Sequence, residues 1–181
     1  LLLARHIQKK SLDSDDHANT AINKTSLLKA IQKKSIRSGF LATFIFIGLE
    51  FSIPIFMAFI AQNNMPNNPH IGAILISSYW TLLLIGRLVS TKILQTVSAN
   101  NLIIYGSIVS ITLITTTINT TYFVYTLTTL GFLNSHMYPC IFSIHTKSLP
   151  KSEHFIASSI FLMGFAGGAV IPFIQAILAK T

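Results

Sequence analysis

Five long apolar stretches constrain this chain more than any other feature of its sequence. They cover residues 39–62, 71–94, 100–119, 122–145 and 155–179, and they contain few charged residues. A bilayer core about 30 Å thick is crossed by roughly 20 helical residues, and each stretch reaches that length. The strands of a closed β-barrel are about 10 residues long and alternate between polar and apolar residues, whereas these stretches are longer and do not alternate. The pattern predicts an all-α polytopic membrane helix bundle with about five transmembrane helices.

The composition favours lipid as the solvent. The chain of 181 residues is 51% hydrophobic and only 10% charged, and its mean hydropathy is +0.60. A soluble domain usually carries about 25% charged residues. The net charge of +8 could indicate nucleic acid, but the basic residues lie at the ends of the apolar stretches rather than on one face of a fold. We therefore expect a lipid bilayer and no nucleic acid as partner.

The basic residues also predict the topology. Eight of the 13 Lys and Arg residues lie within residues 5–38. If the five stretches alternate across the membrane, 12 of the 13 fall on the same side, with Lys180 as the exception. By the positive-inside rule that side is the cytoplasm. The sequence thus predicts a multi-pass protein of the cell inner membrane whose residues 5–38 are cytoplasmic.

The first 38 residues form a separate region. Leu1 to Ala4 are apolar but too short for a secretory signal, so we interpret them as the stub of a preceding helix. Residues 26–37 are either a short helix on an anionic membrane surface or a solvated basic linker. The bundle itself is expected to occupy residues 39–181.

Four motifs carry a resemblance to a known family. The second stretch ends in Gly86-Arg87, and the first contains Gly48-Leu49-Glu50-Phe51-Ser52-Ile53. The fourth contains Tyr138-Pro139-Cys140-Ile141-Phe142-Ser143. The fifth has Ser158-Ser159, then Gly167-Gly168, then Pro172. In this order they resemble the fucose and glucose/galactose permeases, sugar:proton symporters of the major facilitator superfamily, over residues 39–179. Cys140, where the family usually has Thr, and His136 depart from its pattern.

The resemblance implies where the chain belongs in such a permease. The five stretches would correspond to helices 7–11 of a twelve-helix fold, with residues 5–38 as the central cytoplasmic linker and the last helix absent. The implied function is part of a secondary active transporter that moves a hexose-like sugar with protons by alternating access. Its partners would be the sugar, protons and the missing N-terminal half. A transporter of another solute and an inactive truncated fragment are the alternatives.

Three residues are candidates for substrate binding. Glu50 is the only acid within an apolar stretch, where a charge is costly, so it either lines a water-filled cavity or is held by a polar group on a neighbouring helix. Asn134 and Tyr138 are four residues apart, which places them on one face of a helix. Together they offer hydrogen-bonding groups and an aromatic plane for a sugar. The resemblance implies that Tyr138 lines the sugar pocket, and packing between helices is the alternative.

Other residues have more modest expected roles. His136 is either a proton relay or a histidine bonded to a neighbouring helix. Arg87 is an anchor at the cytoplasmic surface or, as the resemblance implies, part of a cytoplasmic gate, for which Glu153 is the candidate partner. The small residues Gly164 and Gly168 predict close helix packing, either static or sliding during transport. The sequence contains no catalytic triad, metal-ligand spacing or cofactor motif, so we predict no enzyme, metal or cofactor.

Overall fold

The helical class predicted from the apolar stretches is confirmed. The structure, a computed structural model, describes residues 30–147, 149–150 and 153–179. No strand occurs in these ranges. The elements defined there are α1 (Lys34–Asn64), α2 (Ile71–Ile93), α3 (Ala99–Thr117), α4 (Phe123–Asn134), α5 (Met137–Thr146), α6 (His154–Met163), a 3-10 turn (Gly164–Ala166) and α7 (Gly167–Leu178).

Four helical segments are long and apolar enough to cross a bilayer. They are α1, α2, α3 and the continuous segment from His154 to Leu178, which contains α6, the 3-10 turn and α7. Local sequence explains several of their ends. The helix α1 ends just before Met65-Pro66, because a proline disfavours helical geometry in the residue before it. Ser98 caps α3, since its hydroxyl accepts a hydrogen bond from the Asn101 amide at 3.4 Å.

The predicted fourth span is divided into two helices in the structure. It consists of α4, with 12 residues, and α5, with 10 residues, separated by Ser135 and His136. The physical reason is Pro139, which has no N–H to donate to the carbonyl of Ser135 and whose ring crowds that carbonyl. The bundle therefore has four continuous spanning segments and one divided segment among its described residues.

The helix α1 is the centre of the bundle, and α3 is at its edge. The former contacts α2, α4, α5, α6, the 3-10 turn and α7, whereas the contacts of α3 are mainly with α4 and α5. The most extensive pairings are α2 with α4 and α1 with α7. Glycines allow the close approach of the backbones in both pairings. Gly131 lies against the backbone carbonyl of Tyr79, and Gly167 lies against that of Phe44.

The small residues near the end of the chain pack inside this bundle. Gly164 contacts Thr43, Gly167 contacts Phe44, and Gly168 lies against Phe51 and Ile47, so all three face α1. Any side chain at Gly167 would collide with backbone rather than with a movable side chain. In this structure the glycines therefore serve close packing between α7 and α1.

The described part of the basic N-terminal region joins the bundle. Ala30 and Ile36 are buried in a cluster with Ala157, Ile160 and Phe161. Lys33 donates to both carboxylate oxygens of Glu153, at 2.5 and 2.6 Å. The helix α1 begins at Lys34, five residues before the predicted start at Gly39. Ala30, Lys33 and Ile36 thus contact the region of α6, while residues 1–29, which hold the predicted stub and most of the predicted linker, lie outside the described ranges.

Candidate functional site

Glu50 lies near the middle of α1 and is almost completely buried. It is 16 residues from Lys34 and 14 from Asn64, which places it about 20–25 Å from either end of the helix. Its exposed fraction is only 3%. Its Oε1 atom accepts no hydrogen bond from any described residue. A carboxylate in such a position needs a compensating charge or a polar cavity.

The backbone carbonyl of Glu50 accepts a hydrogen bond from a neighbouring helix instead of from its own. Four residues further on, Pro54 has no N–H with which to bond the carbonyl of Glu50. The hydroxyl of Tyr79, on α2, donates to that carbonyl at 3.3 Å. Tyr79 is fully buried, and Gly131 of α4 packs against it. The proline and the tyrosine together fix the position of Glu50 relative to α2.

Arg87 is the ion-pair partner of Glu50. Its Nη2 atom lies 3.6 Å from Oε1 of Glu50. Arg87 is six residues before the end of α2, about 9 Å inside that end, so its long side chain reaches the level of the buried acid. The predicted pairing of Arg87 with Glu153 is wrong, because Glu153 precedes α6 at the bundle surface and binds Lys33 instead.

Tyr138 packs among aromatic rings. It is the second residue of α5, and its half-buried ring packs edge-on against Phe165 at 5.4 Å between ring centroids. Tyr79 therefore contacts Glu50 directly, through the hydrogen bond to its carbonyl, whereas Tyr138 contacts Phe142 and Phe165.

Asn134 has a different partner. It is the last residue of α4, and its Oδ1 accepts a hydrogen bond from the Ser110 hydroxyl on α3 at 3.2 Å. The break at Ser135 and His136 separates it from Tyr138, so the two side chains do not lie on one uninterrupted helix. Asn134 links α4 to the peripheral helix α3, whereas Tyr138 packs against the turn between α6 and α7.

His136 lies at the helix break and faces α3. It is 7% exposed, its ring packs against Gly106, and its Nε2 has no hydrogen-bond partner among the described residues. A cavity of about 190 Å³ adjoins it between α2, α3 and α4, and most of its lining is apolar. The predicted contact with a neighbouring helix is present, because the imidazole lies against Gly106 and within reach of the backbone of Leu102, both on α3.

Trp80 and Gln175 lie in different parts of the bundle. Trp80 packs between Phe51 and Tyr79, with centroid distances of 5.4 and 5.5 Å, so these rings join α2 to α1. Gln175 instead lies with Phe56 and Leu178 near the C-terminal end of α7.

A surface depression of about 680 Å³ does not coincide with the charged group. Its described lining residues, such as Ser77 and Thr81, belong to α2. A groove on one helix cannot surround a solute on its own. In addition, the described residues contain no group of three His, Cys, Asp or Glu side chains placed to hold a metal ion. The Glu50–Arg87 pair, with Tyr79 bonded to the Glu50 carbonyl, is therefore the best candidate site.

This site has the chemistry of a polar binding centre inside an apolar bundle. Glu50 supplies a buried acceptor, and Arg87 supplies several donors. Sequence analysis missed Arg87 as a member. Its position could have indicated this role, because Arg87 lies six residues inside a predicted span and another span carries a single acid. Opposite charges inside a membrane bundle are expected to pair.

The fold and this site define the chain as a multi-pass helical membrane protein with an ion pair inside the bundle. Comparison with curated proteins then identifies its relatives. The chain is 29% identical over 142 residues to a "Putative glucose/galactose transporter" of Helicobacter pylori (strain J99 / ATCC 700824), covering 77% of this chain and 35% of the relative. It is 24% identical over 159 residues to the "Glucose/galactose transporter" of Brucella abortus biovar 1 (strain 9-941), covering 83% of this chain and 37% of that protein.

These similarities confirm the resemblance that the four motifs predicted. The chain spans about a third of the length of the curated relatives it matches. No protein-family model matches the chain, and no solved structure matches it at a significant level.

Proposed function

We propose that this chain is part of a secondary active transporter that moves a hexose-like sugar, together with protons, across the cell inner membrane. The observation that carries the proposal is its similarity to proteins named glucose/galactose transporter over 77–83% of its length. The buried polar group at Glu50 supports it, because an ionisable residue inside a membrane bundle usually marks a solute or ion pathway. On this proposal the chain is a transport protein and not an enzyme.

The site would be formed by Glu50, Tyr138 and Asn134. Glu50 would accept hydrogen bonds from sugar hydroxyls, and the ring of Tyr138 would cover a C–H face of the sugar. Asn134 is bonded to Ser110 in this structure, so it would contribute only after exchanging that bond for one to the sugar. Residues 5–38 would lie in the cytoplasm, consistent with their eight basic residues.

The mechanism would be alternating access. In that mechanism two helix bundles rock around a site near the bilayer midplane, so the present bundle needs a second one. The relatives are about three times as long as the matched region and have room for it. The proposed partner is therefore an N-terminal half of the same transporter.

Uptake of labelled glucose and galactose tests the proposal. The protein would be made from its complete natural reading frame in bacterial cells that lack other hexose carriers. We expect uptake that a protonophore abolishes, and we expect Glu50→Gln to lower it at least about tenfold, because a hydrogen bond to a charged group is worth about 1.5–3 kcal/mol.

The matched control is Thr112→Val. Thr112 is exposed on α3, and its hydroxyl bonds only to the carbonyl of Ile108 in its own helix. This variant should transport like the parent. Absence of hexose uptake by correctly inserted protein would contradict the sugar assignment, and uptake that survives the protonophore would contradict coupling to protons.

A further inference from the structure

Two residues of α2 contact Glu50, one through its backbone and one through its side chain. The hydroxyl of Tyr79 donates to the Glu50 carbonyl at 3.3 Å, and Nη2 of Arg87 lies 3.6 Å from the carboxylate atom Oε1. Tyr79 and Arg87 are eight residues apart, about 12 Å along the axis of α2. A helix carbonyl points toward the C-terminus of its helix, whereas the side chain leans toward the N-terminus. The position of α1 along α2 therefore determines both contacts together.

The ring of Tyr79 is held in place by packing. It is fully buried in an apolar cluster that includes Met57 of α1 and Leu130 of α4. Gly131 of α4 lies against both the backbone and the ring of Tyr79, and the ring of Trp80 packs edge-on against it at 5.5 Å between centroids. A side chain in a close-packed interior keeps one position. The hydroxyl of Tyr79 is therefore a donor at a fixed place beside α1.

The need for this donor comes from Pro54. In a regular α-helix the N–H four residues further on would donate to the Glu50 carbonyl, but proline has no N–H. A carbonyl without a donor is costly inside a membrane bundle, where the lipid offers no hydrogen bond in its place. The hydroxyl of Tyr79 takes the place of the missing N–H. The resulting bond joins α1 to α2 instead of closing a turn of α1.

We propose that Tyr79 is a positioning residue for transport, because its hydroxyl replaces the helix hydrogen bond that Pro54 removes and thereby keeps Glu50 at the level of Arg87. Without the hydroxyl, α1 is free to shift along α2 at this point, and the carboxylate of Glu50 moves relative to the guanidinium of Arg87. The inference rests on the proposed transport function. It goes beyond that function by assigning a role to a residue that acts on Glu50 through the backbone.

A double-variant cycle between positions 79 and 54 tests this inference. The complete protein is made in the cells used for the uptake assay, and hexose uptake is expressed per molecule inserted in the membrane. Tyr79→Phe removes only the hydroxyl and should lower this uptake about fivefold, which corresponds to a hydrogen bond of about 1 kcal/mol. In the Pro54→Ala background the alanine N–H can bond the Glu50 carbonyl within α1. There Tyr79→Phe should change uptake by less than about twofold.

The ratio of the two uptakes within one background does not depend on what Pro54→Ala itself does to transport. If Pro54→Ala is not inserted, Pro54→Leu supplies the same N–H and replaces it in the cycle. The matched control is Tyr105→Phe, because Tyr105 is exposed on α3. It should leave uptake unchanged in both backgrounds. The denaturation midpoint in detergent is measured for the same variants and should fall with Tyr79→Phe in the Pro54 protein alone.

The outcomes separate this inference from the proposed function. A parent protein that takes up no hexose overturns both. A parent that takes up hexose, with a Tyr79→Phe variant that transports equally well per inserted molecule, overturns the positioning role alone, and a lowered denaturation midpoint in that variant would make Tyr79 a structural residue only. Equal fold losses from Tyr79→Phe in the two backgrounds would show that the hydroxyl does not substitute for the N–H that Pro54 lacks.

Discussion

The helices α1 and α3 belong to the same bundle but differ in burial and in where their polar side chains find partners. Over their most apolar stretches, 39% of the residues of α1 are buried, against 6% for α3. The outer helix is nevertheless rich in hydroxyls, and those of Thr112, Thr115, Thr116 and Thr117 donate to carbonyls within α3 itself. The central helix carries Glu50, whose charge is compensated from α2.

The difference shows which polar side chains a lipid-facing helix tolerates. A threonine can reach the carbonyl three or four residues earlier, so it satisfies its hydroxyl without a partner from elsewhere. A glutamate has no such local solution and needs a cation or a polar cavity supplied by the fold. A polar residue in a membrane span therefore indicates function chiefly when its own helix offers no partner for its hydrogen-bonding group or charge.

The largest expected effect comes from adding volume between α1 and α7. We expect Gly167→Ala to destabilise the bundle by about 2–3 kcal/mol, because its methyl group would overlap the backbone carbonyl of Phe44. Unfolding in detergent can be followed by the fluorescence of Trp80, the only tryptophan of the chain. Gly106→Ala, on α3, is the matched control, since its methyl group would meet the His136 ring rather than backbone. Equal losses in the two variants would contradict the distinction between centre and edge.

The next effect concerns the ion pair. Arg87→Met should lower the free energy of unfolding by about 2 kcal/mol, because it leaves the buried Glu50 carboxylate uncompensated. The double variant Glu50→Met with Arg87→Met should recover most of that loss but should not transport. Urea or detergent unfolding measures the first result and hexose uptake the second. A double variant as unstable as Arg87→Met would mean that the pair stabilises the bundle by more than charge compensation.

The smallest effect is expected at the lipid-facing hydroxyls. Thr115→Val replaces an exposed side chain whose hydroxyl bonds to Ile111 and Thr112 in the same helix. We expect a change of at most about 0.5 kcal/mol in the free energy of unfolding, measured in the same way as for the other variants. A loss above about 1 kcal/mol would show that α3 depends on these hydroxyls for more than local satisfaction.

The sequence was sufficient to predict the helical class and most helix positions. The second stretch was predicted over 71–94 and is observed as Ile71–Ile93, because hydrophobic length alone determines such a span. The division between α4 and α5 follows from Pro139, but the sequence does not say whether a proline will bend a span or interrupt it. That outcome depends on the neighbouring helices that stabilise the break.

The site was predictable only in part. A single acid in an apolar stretch made Glu50 a candidate, whereas its ion pair with Arg87 depended on how α1 packs against α2. Asn134 and Tyr138 were expected on one face from their spacing, which holds only for an unbroken helix. Their roles in binding stay predictions. The interhelical bond from Tyr79 to Glu50 could not be foreseen, because no local pattern relates residues 29 positions apart.

That interhelical bond bears on how the bundle could change shape. A proline within a helix gives the segment beyond it more freedom to rotate, and Pro54 divides α1 in this way. The carbonyl that would open during such a rotation is bonded to Tyr79 of α2. The segment of α1 beyond Pro54 can therefore rotate about this point only if the bond to Tyr79 breaks or if α2 moves with it.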